Sequence, residues 1–135
     1  MNKLELQALL STVKTIALVG ASHKPHRPSY EVMHFLQDQG YKVYPINPTL
    51  AGQFILNEKV YASVDHLPEK IDMVDIFRNS EAAGETCSEI LKLDKESRPK
   101  IVWMQIGVIN EASAIKLREQ NITVIMDACP KQILS

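Results

Sequence analysis

The chain has 135 residues, 45% of them hydrophobic and 23% charged, with 15 Lys+Arg against 16 Asp+Glu for a formal net charge of −1. That describes one globular domain over residues 1–135 and lacks the basic excess of a phosphate-backbone binder, so no nucleic acid is expected as a partner. No apolar run nears the ~18 residues of a membrane span and the start has no secretory pattern, so a cytoplasmic protein with no membrane partner is expected.

In chain order, a first helix carries Leu6, Leu9, Leu10 and Val13 and packs on the outside. Apolar runs rich in β-formers follow at residues 16–19, 43–46, 74–77 and 101–104, with a fifth at 124–126. They are continuous rather than alternating, as in strands buried on both faces. Between the first two runs, Val32, Met33 and Leu36 recur at helical spacing and the pattern stops at Gly40, predicting a helix over 30–39. A second helix follows Asn79-Ser80 and buries Ala83, Cys87, Ile90 and Leu91. A third follows Asn110, with Ala114, Ile115 and Leu117 on or near its inner face. The span 47–72 has short apolar pieces around Gly52 and a helical turn at 63–67, and is expected to be irregular and shaped around a ligand. Strand–helix alternation predicts an α/β fold: a three-layer, mostly parallel, doubly wound sheet of five or six strands with helices on both faces.

In such a sheet ligands sit beyond the carboxyl ends of the strands. Here those ends read Gly20-Ala21-Ser22, Asn47-Pro48, Phe77-Arg78-Asn79, Gln105-Ile106-Gly107 and Asp127-Ala128-Cys129-Pro130. The dinucleotide pattern Gly-x-Gly-x-x-Gly fails after Gly20, because Ser22 and Pro25 replace the later glycines. No ribose-binding acid stands at Asn47-Pro48 either, which disfavours NAD in its usual pose. From Leu6 to Tyr30 there is no acid, while His23, Lys24, His26 and Arg27 precede a helix opened by Ser29. Two readings stay open for this loop: a phosphate site at a helix terminus, or a capped helix with solvated cations.

Cys87 and Cys129 lie far apart and show no zinc-ligand spacing, so both read as reduced thiols and no metal site is expected. Cys87 belongs to a helical core face, and Cys129 is a buried structural thiol rather than a nucleophile paired with His23. Asp75, inside an apolar strand, is costly unless paired, with Arg78 the nearest cation in sequence. Trp103 reads as core. No catalytic residues are assigned.

The ordered set Val19-Gly20-Ala21-Ser22, Arg27-Pro28-Ser29-Tyr30, Ile46-Asn47-Pro48, Val74-Asp75-Ile76-Phe77-Arg78-Asn79, Trp103-Met104-Gln105-Ile106-Gly107 and Met126-Asp127-Ala128-Cys129-Pro130 resembles the stand-alone bacterial CoA-binding domain family. That family is similar to the CoA-binding N-terminal domain of the succinyl-CoA synthetase α subunit, and the resemblance spans residues 15–132. It implies a Rossmann-like fold with coenzyme A, free or acylated, across the strand ends. Gly20, Ala21 and Ser22 match the phosphate-side loop, with Lys24, Arg27, Pro28 and Ser29 in the same region. Asn47 and Pro48, Phe77 and Arg78, and Gln105 and Gly107 match the next three loops, and Asp127, Cys129 and Pro130 match a signature near the end. The domain that carries a phosphorylated histidine in the synthetase is not expected in so short a chain, and none of His23, His26, His34 and His66 matches that histidine. The expectation is a carrier, sensor or regulatory module that binds a small nucleotide ligand without turnover. An NAD(P)-dependent oxidoreductase and a redox protein modified at Cys129 are the alternatives. A homodimer is the commonest state of such domains, and a protein partner would be needed for any two-domain activity.

Overall fold

The computed structural model describes residues 1–135. In chain order the helices are α1 (Lys3–Ser11), α2 (Pro28–Asp38), α3 (Ser80–Lys92), α4 (Glu111–Glu119) and α5 (Pro130–Leu134); the strands are β1 (Thr15–Val19), β2 (Lys42–Ile46), β3 (Phe54–Ile55), β4 (Glu58–Lys59), β5 (Met73–Ile76), β6 (Ile101–Met104) and β7 (Thr123–Ile125). Five strands form one sheet in the order β2-β1-β5-β6-β7, and every pairing in it is parallel. This is the predicted doubly wound α/β architecture, Rossmann-like and five-stranded.

Each sheet face has its own apolar layer. Ala17, Val19, Val74, Ile76, Val102 and Met104 pack against Ala83, Cys87 and Ile90 of α3 and Ala114 and Leu117 of α4. Ile16, Leu18, Val43, Met73, Ile101 and Trp103 pack against Leu6 and Leu10 of α1 and Val32, Met33 and Leu36 of α2. Strands covered on both sides have no solvent face, which is why their sequences are continuous apolar runs.

Several boundaries differ from the sequence reading. The second helix starts at Pro28, with Arg27 at its N-cap and no side chain capping it. Ser29 is therefore not a cap; it lies in the first turn and is buried. Pro at the first helical position explains the earlier start, since its fixed φ suits the helix and its missing N–H is no loss there. Ile115 points to solvent, 55% exposed, because helical spacing places it beside rather than on the face shared by Ala114 and Leu117. Leu91 is only half-buried. The span expected to be irregular holds a short antiparallel hairpin, β3–β4, with Leu56 and Asn57 at positive φ in its turn. One-turn helices at Pro48–Leu50 and Val64–His66 flank it.

The winding direction reverses between β1 and β5: β1 leads through α2 to β2 on one side, while β5, on its other side, leads through α3 to β6. Gly20 ends β1 here with φ +87°, and a Cβ on it would lie 2.1 Å from the Phe77 carbonyl oxygen. Only glycine satisfies both demands, the left-handed backbone and the absence of a side chain. Gly20→Ala is expected to lower stability by at least about 2 kcal/mol, read as a fall in the urea midpoint with little change in slope; an unchanged midpoint would show that the loops separate at no cost.

Candidate functional site

The reversal leaves a cleft of about 1180 Å³ over the carboxyl ends of the strands. Its lining includes Gly20, Ala21, Ser22, Lys24, Arg27, Pro28, Ser29, Asn47, Phe77, Arg78, Gln105 and Cys129. Residues from five separate loops thus meet in one concavity. Of the residues singled out in the sequence, Asp127 and Pro130 do not line it, and neither do Pro48 and Gly107.

The last two shape the walls. Pro48 starts the one-turn helix whose N-cap, Asn47, accepts from the Thr49 N–H at 2.9 Å and donates through Nδ2 to the Ala21 carbonyl at 2.8 Å. Asn47 therefore ties the loop after β2 to the loop after β1. Gly107, at φ +82°, donates its N–H to Asp127 Oδ1 at 2.7 Å. Asp127 is absent from the lining, and its carboxylate joins the loop after β7 to the loop after β6. It positions a wall.

The charge of the cleft is distinctive. Its lining has four cationic side chains, Lys24, Arg27, Arg78 and Lys131, against one acidic side chain, Glu31. Arg78 is held against α3, donating to Ala82 O at 3.2 Å and Thr86 Oγ1 at 3.3 Å, with Glu85 3.5 Å from its Nη2. Lys24, Arg27 and Lys131 make no ion pair with any protein carboxylate. Lys131 Nζ lies over the Phe35 ring at 6.0 Å, while Lys24 and Arg27 stand beside the uncapped start of α2, where the helix dipole also favours negative charge. Ser29, buried in that first turn, has no hydrogen-bond partner for its hydroxyl within the protein yet lines the cleft. Together these groups can hold an anion.

The lining also includes Phe77, Ile106 and Val108 with the carboxamide of Gln105. Gln105 reaches back under the sheet end and donates to both oxygens of Asp75, at 3.0 and 3.2 Å. The partner of Asp75 is therefore Gln105 and not Arg78, whose guanidinium is drawn to α3. Asp75 is fully buried, and desolvation pushes its carboxyl up to about 7 although the Gln105 bond opposes the rise. Cys129 is 8% exposed, stands at the N-cap position of α5 without a capping side-chain bond and lines the cleft. Cys87 sits in the core under α3, where burial pushes its thiol up to about 11. Trp103 is core, with Nε1 donating to Ala128 O at 2.9 Å. No helix is long and apolar enough to cross a membrane.

Sequence reasoning missed two features. Lys131 joins the cation group, and its only signal was its place two residues beyond Cys129 in the last strand-end loop. The Asp75–Gln105 pair was readable only from strand register: Asp75 stands opposite Trp103, so the residue two beyond Trp103 on the same face can lean over it.

The sequence from residue 14 to residue 135 matches the family model described as a CoA binding domain. The chain belongs to the CoA-binding domain family. It is 37% identical over 130 residues to the uncharacterized protein YneT of Bacillus subtilis, covering 96% of this chain and 92% of that one. It is also 38% identical over 78 residues to the α subunit of acetate–CoA ligase (ADP-forming) I of Pyrococcus furiosus, a match that covers 54% of this chain and 16% of the subunit. Among solved structures, the cell-free ID.343 protein of Thermus thermophilus superposes with a TM-score of 0.90 at 36% identity, covering 99% of this chain and 97% of that one. Within this family fold the cleft has cations in its lining, and the buried acid lies behind Gln105.

Because the native state holds Asp75 protonated up to about pH 7 while an unfolded aspartate ionises near its ordinary value, folding retains a proton between those limits. The stability this confers is complete at low pH and drains away as pH rises through about 7, with a slope of at most about 1.4 kcal/mol per pH unit. Asp75→Asn should remove that component, gaining on the parent as pH rises; parallel stability curves from chemical denaturation at several pH values would contradict the assignment.

Proposed function

We propose that this protein binds coenzyme A, free or acylated, in the strand-end cleft and acts as a carrier, sensor or regulatory module without turnover of its own. The observation that carries the proposal is the pair Lys24 and Arg27 without a partner carboxylate beside the uncapped start of α2, with Lys131 on the same cleft, in a chain of the CoA-binding domain family. Coenzyme A has a pyrophosphate and a 3′-phosphate, which need cations and N–H donors. It also has an arm of amides and methylenes, which suits the Phe77, Gln105, Ile106 and Val108 end of the cleft.

In this reading the Gly20-Ala21-Ser22 loop, with Pro28 and Ser29 at the helix start, forms the phosphate-binding corner. The Asn47 and Asp127 side chains hold the walls by bonding to the backbone of neighbouring loops, with Pro48 and Gly107 in the loops they tie. Cys129 borders the cleft from the apolar layer that covers one face of the sheet. The working location is the cytoplasm, where coenzyme A and reduced thiols coexist.

Calorimetric titration of the purified protein with CoA, acetyl-CoA, NAD(H), NADP(H) and ATP tests this. Saturable heat is expected with a CoA species and none of comparable affinity with the nicotinamide cofactors. No heat with either CoA species while the protein is folded would sink the proposal. Arg27→Ala and Lys24→Ala should each weaken CoA binding by roughly tenfold and flatten its dependence on salt. Unchanged affinity in both would move the phosphates elsewhere.

A further inference from the structure

Gln105 has two ends, and only one of them is used inside the protein. Its Nε2 donates to Asp75, while its Oε1 receives no hydrogen bond from any protein group. No buried side-chain nitrogen or oxygen lacks a partner, so Oε1 must be open, and the residue's exposed side is the cleft it lines. An ionised carboxylate only accepts hydrogen bonds, which leaves the carboxamide a single orientation. Asp75 has no choice of its own: it stands in the central strand between Leu18 and Trp103 and is fully buried.

We propose that Asp75, in its ionised form, is a positioning residue that holds the Gln105 carboxamide with Oε1 turned into the cleft, so that the ligand group bound there is a hydrogen-bond donor such as an amide N–H. This rests on the CoA reading and deepens it, since it assigns the amide-bearing arm of the ligand to Gln105. A protonated Asp75 reverses the arrangement, because its O–H needs an acceptor and Gln105 is the side chain bonded to it. The carboxamide then turns Oε1 inward and shows an N–H to the cleft, which an amide N–H donor cannot use. A ligand that donates to Oε1 therefore binds the ionised form better and expels a proton when it binds near neutral pH.

Other groups that titrate or carry charge face the same cleft: His23 and Lys24 from the first loop, Arg27 and Glu31 from α2, Arg78 from the loop after β5, and Lys131 and Cys129 from the last loop. None of them contributes a charge interaction to Asp75, whose only influences are burial and the Gln105 bond. They, and the ligand's phosphates, are present alike in the parent and in Asp75→Asn, so the difference between the two proteins isolates Asp75.

The side-chain amide resonances of Gln105 in the ligand-free protein, followed from about pH 5.5 to about 8.5, should shift through one titration in the parent and stay flat in Asp75→Asn. CoA affinity should rise across that range by roughly tenfold more in the parent than in the variant. A Gln105 resonance that does not move, or an identical affinity profile in the two proteins, would overturn the proposal. Should CoA give no heat at any pH, the CoA reading falls and the orientation stands or falls on the resonance alone. Should Asp75→Asn not fold, the parent resonance decides in the same way.

Discussion

The site depends on the contact between the Gly20 α-carbon and the Phe77 carbonyl. With room for no side chain between them, β1 and β5 stay paired to their last residues, Val19 against Ile76, and the chain leaves them in opposite directions. Their following loops must diverge, and the divergence is the cleft. In a doubly wound sheet this is where topology alone opens a crevice. The glycine keeps the crevice floor at backbone level, and the remaining loops build its walls.

Those walls are tied to one another rather than left as independent excursions. Asn47 links the loops after β2 and β1, Asp127 those after β7 and β6, and Asn110 donates to Ser80 O at 2.9 Å, joining the start of α4 to the start of α3. Each tie uses a short polar side chain on a neighbouring backbone, which costs little entropy compared with a long flexible pair. Loops held in this way do not need to be ordered by a ligand, so less of the interaction energy is consumed in ordering them. The long cationic side chains are the exception. Lys24, Arg27 and Lys131 have no partner carboxylate, and of the three Lys131 rests over the Phe35 ring.

Much of this was legible in the sequence, for identifiable reasons. Strands covered on both faces have continuous apolar runs, so all five sheet strands were readable to within a residue or so. Glycine or a polar residue closes each of them, so the strand-end loops and the direction of the site were readable too. What failed was whatever depends on partners distant in the chain. A two-residue strand such as Phe54–Ile55 has too few positions to show a period. Ile115 is apolar but lies beside the buried stripe of α4, so composition without exact phase misplaced it. Proximity in sequence offers Asp75 only Arg78, three residues away, as a partner; strand register places Gln105 over it from thirty residues further on. The free cations were half visible: Lys24 and Arg27 stood out in an acid-free stretch, whereas Lys131 joins them only because α5 folds back toward α2.

The buried polar side chains make a tighter argument than the charges do. There are four of them, Ser29, Asp75, Thr86 and Gln105, and every one leads to the cleft. Ser29 and Gln105 line it, Asp75 lies behind Gln105, and Thr86 bonds to Arg78, which also lines it. Elsewhere both apolar layers are free of such groups. Burying polar groups opposes folding unless their partners are supplied, and a sheet that served only to fold would have no cause to concentrate them at one end. A net charge of −1 hides the same asymmetry, because it averages a cation-lined mouth with an acidic remainder. Local rules are broken where a site demands it, and here every such break points into one concavity.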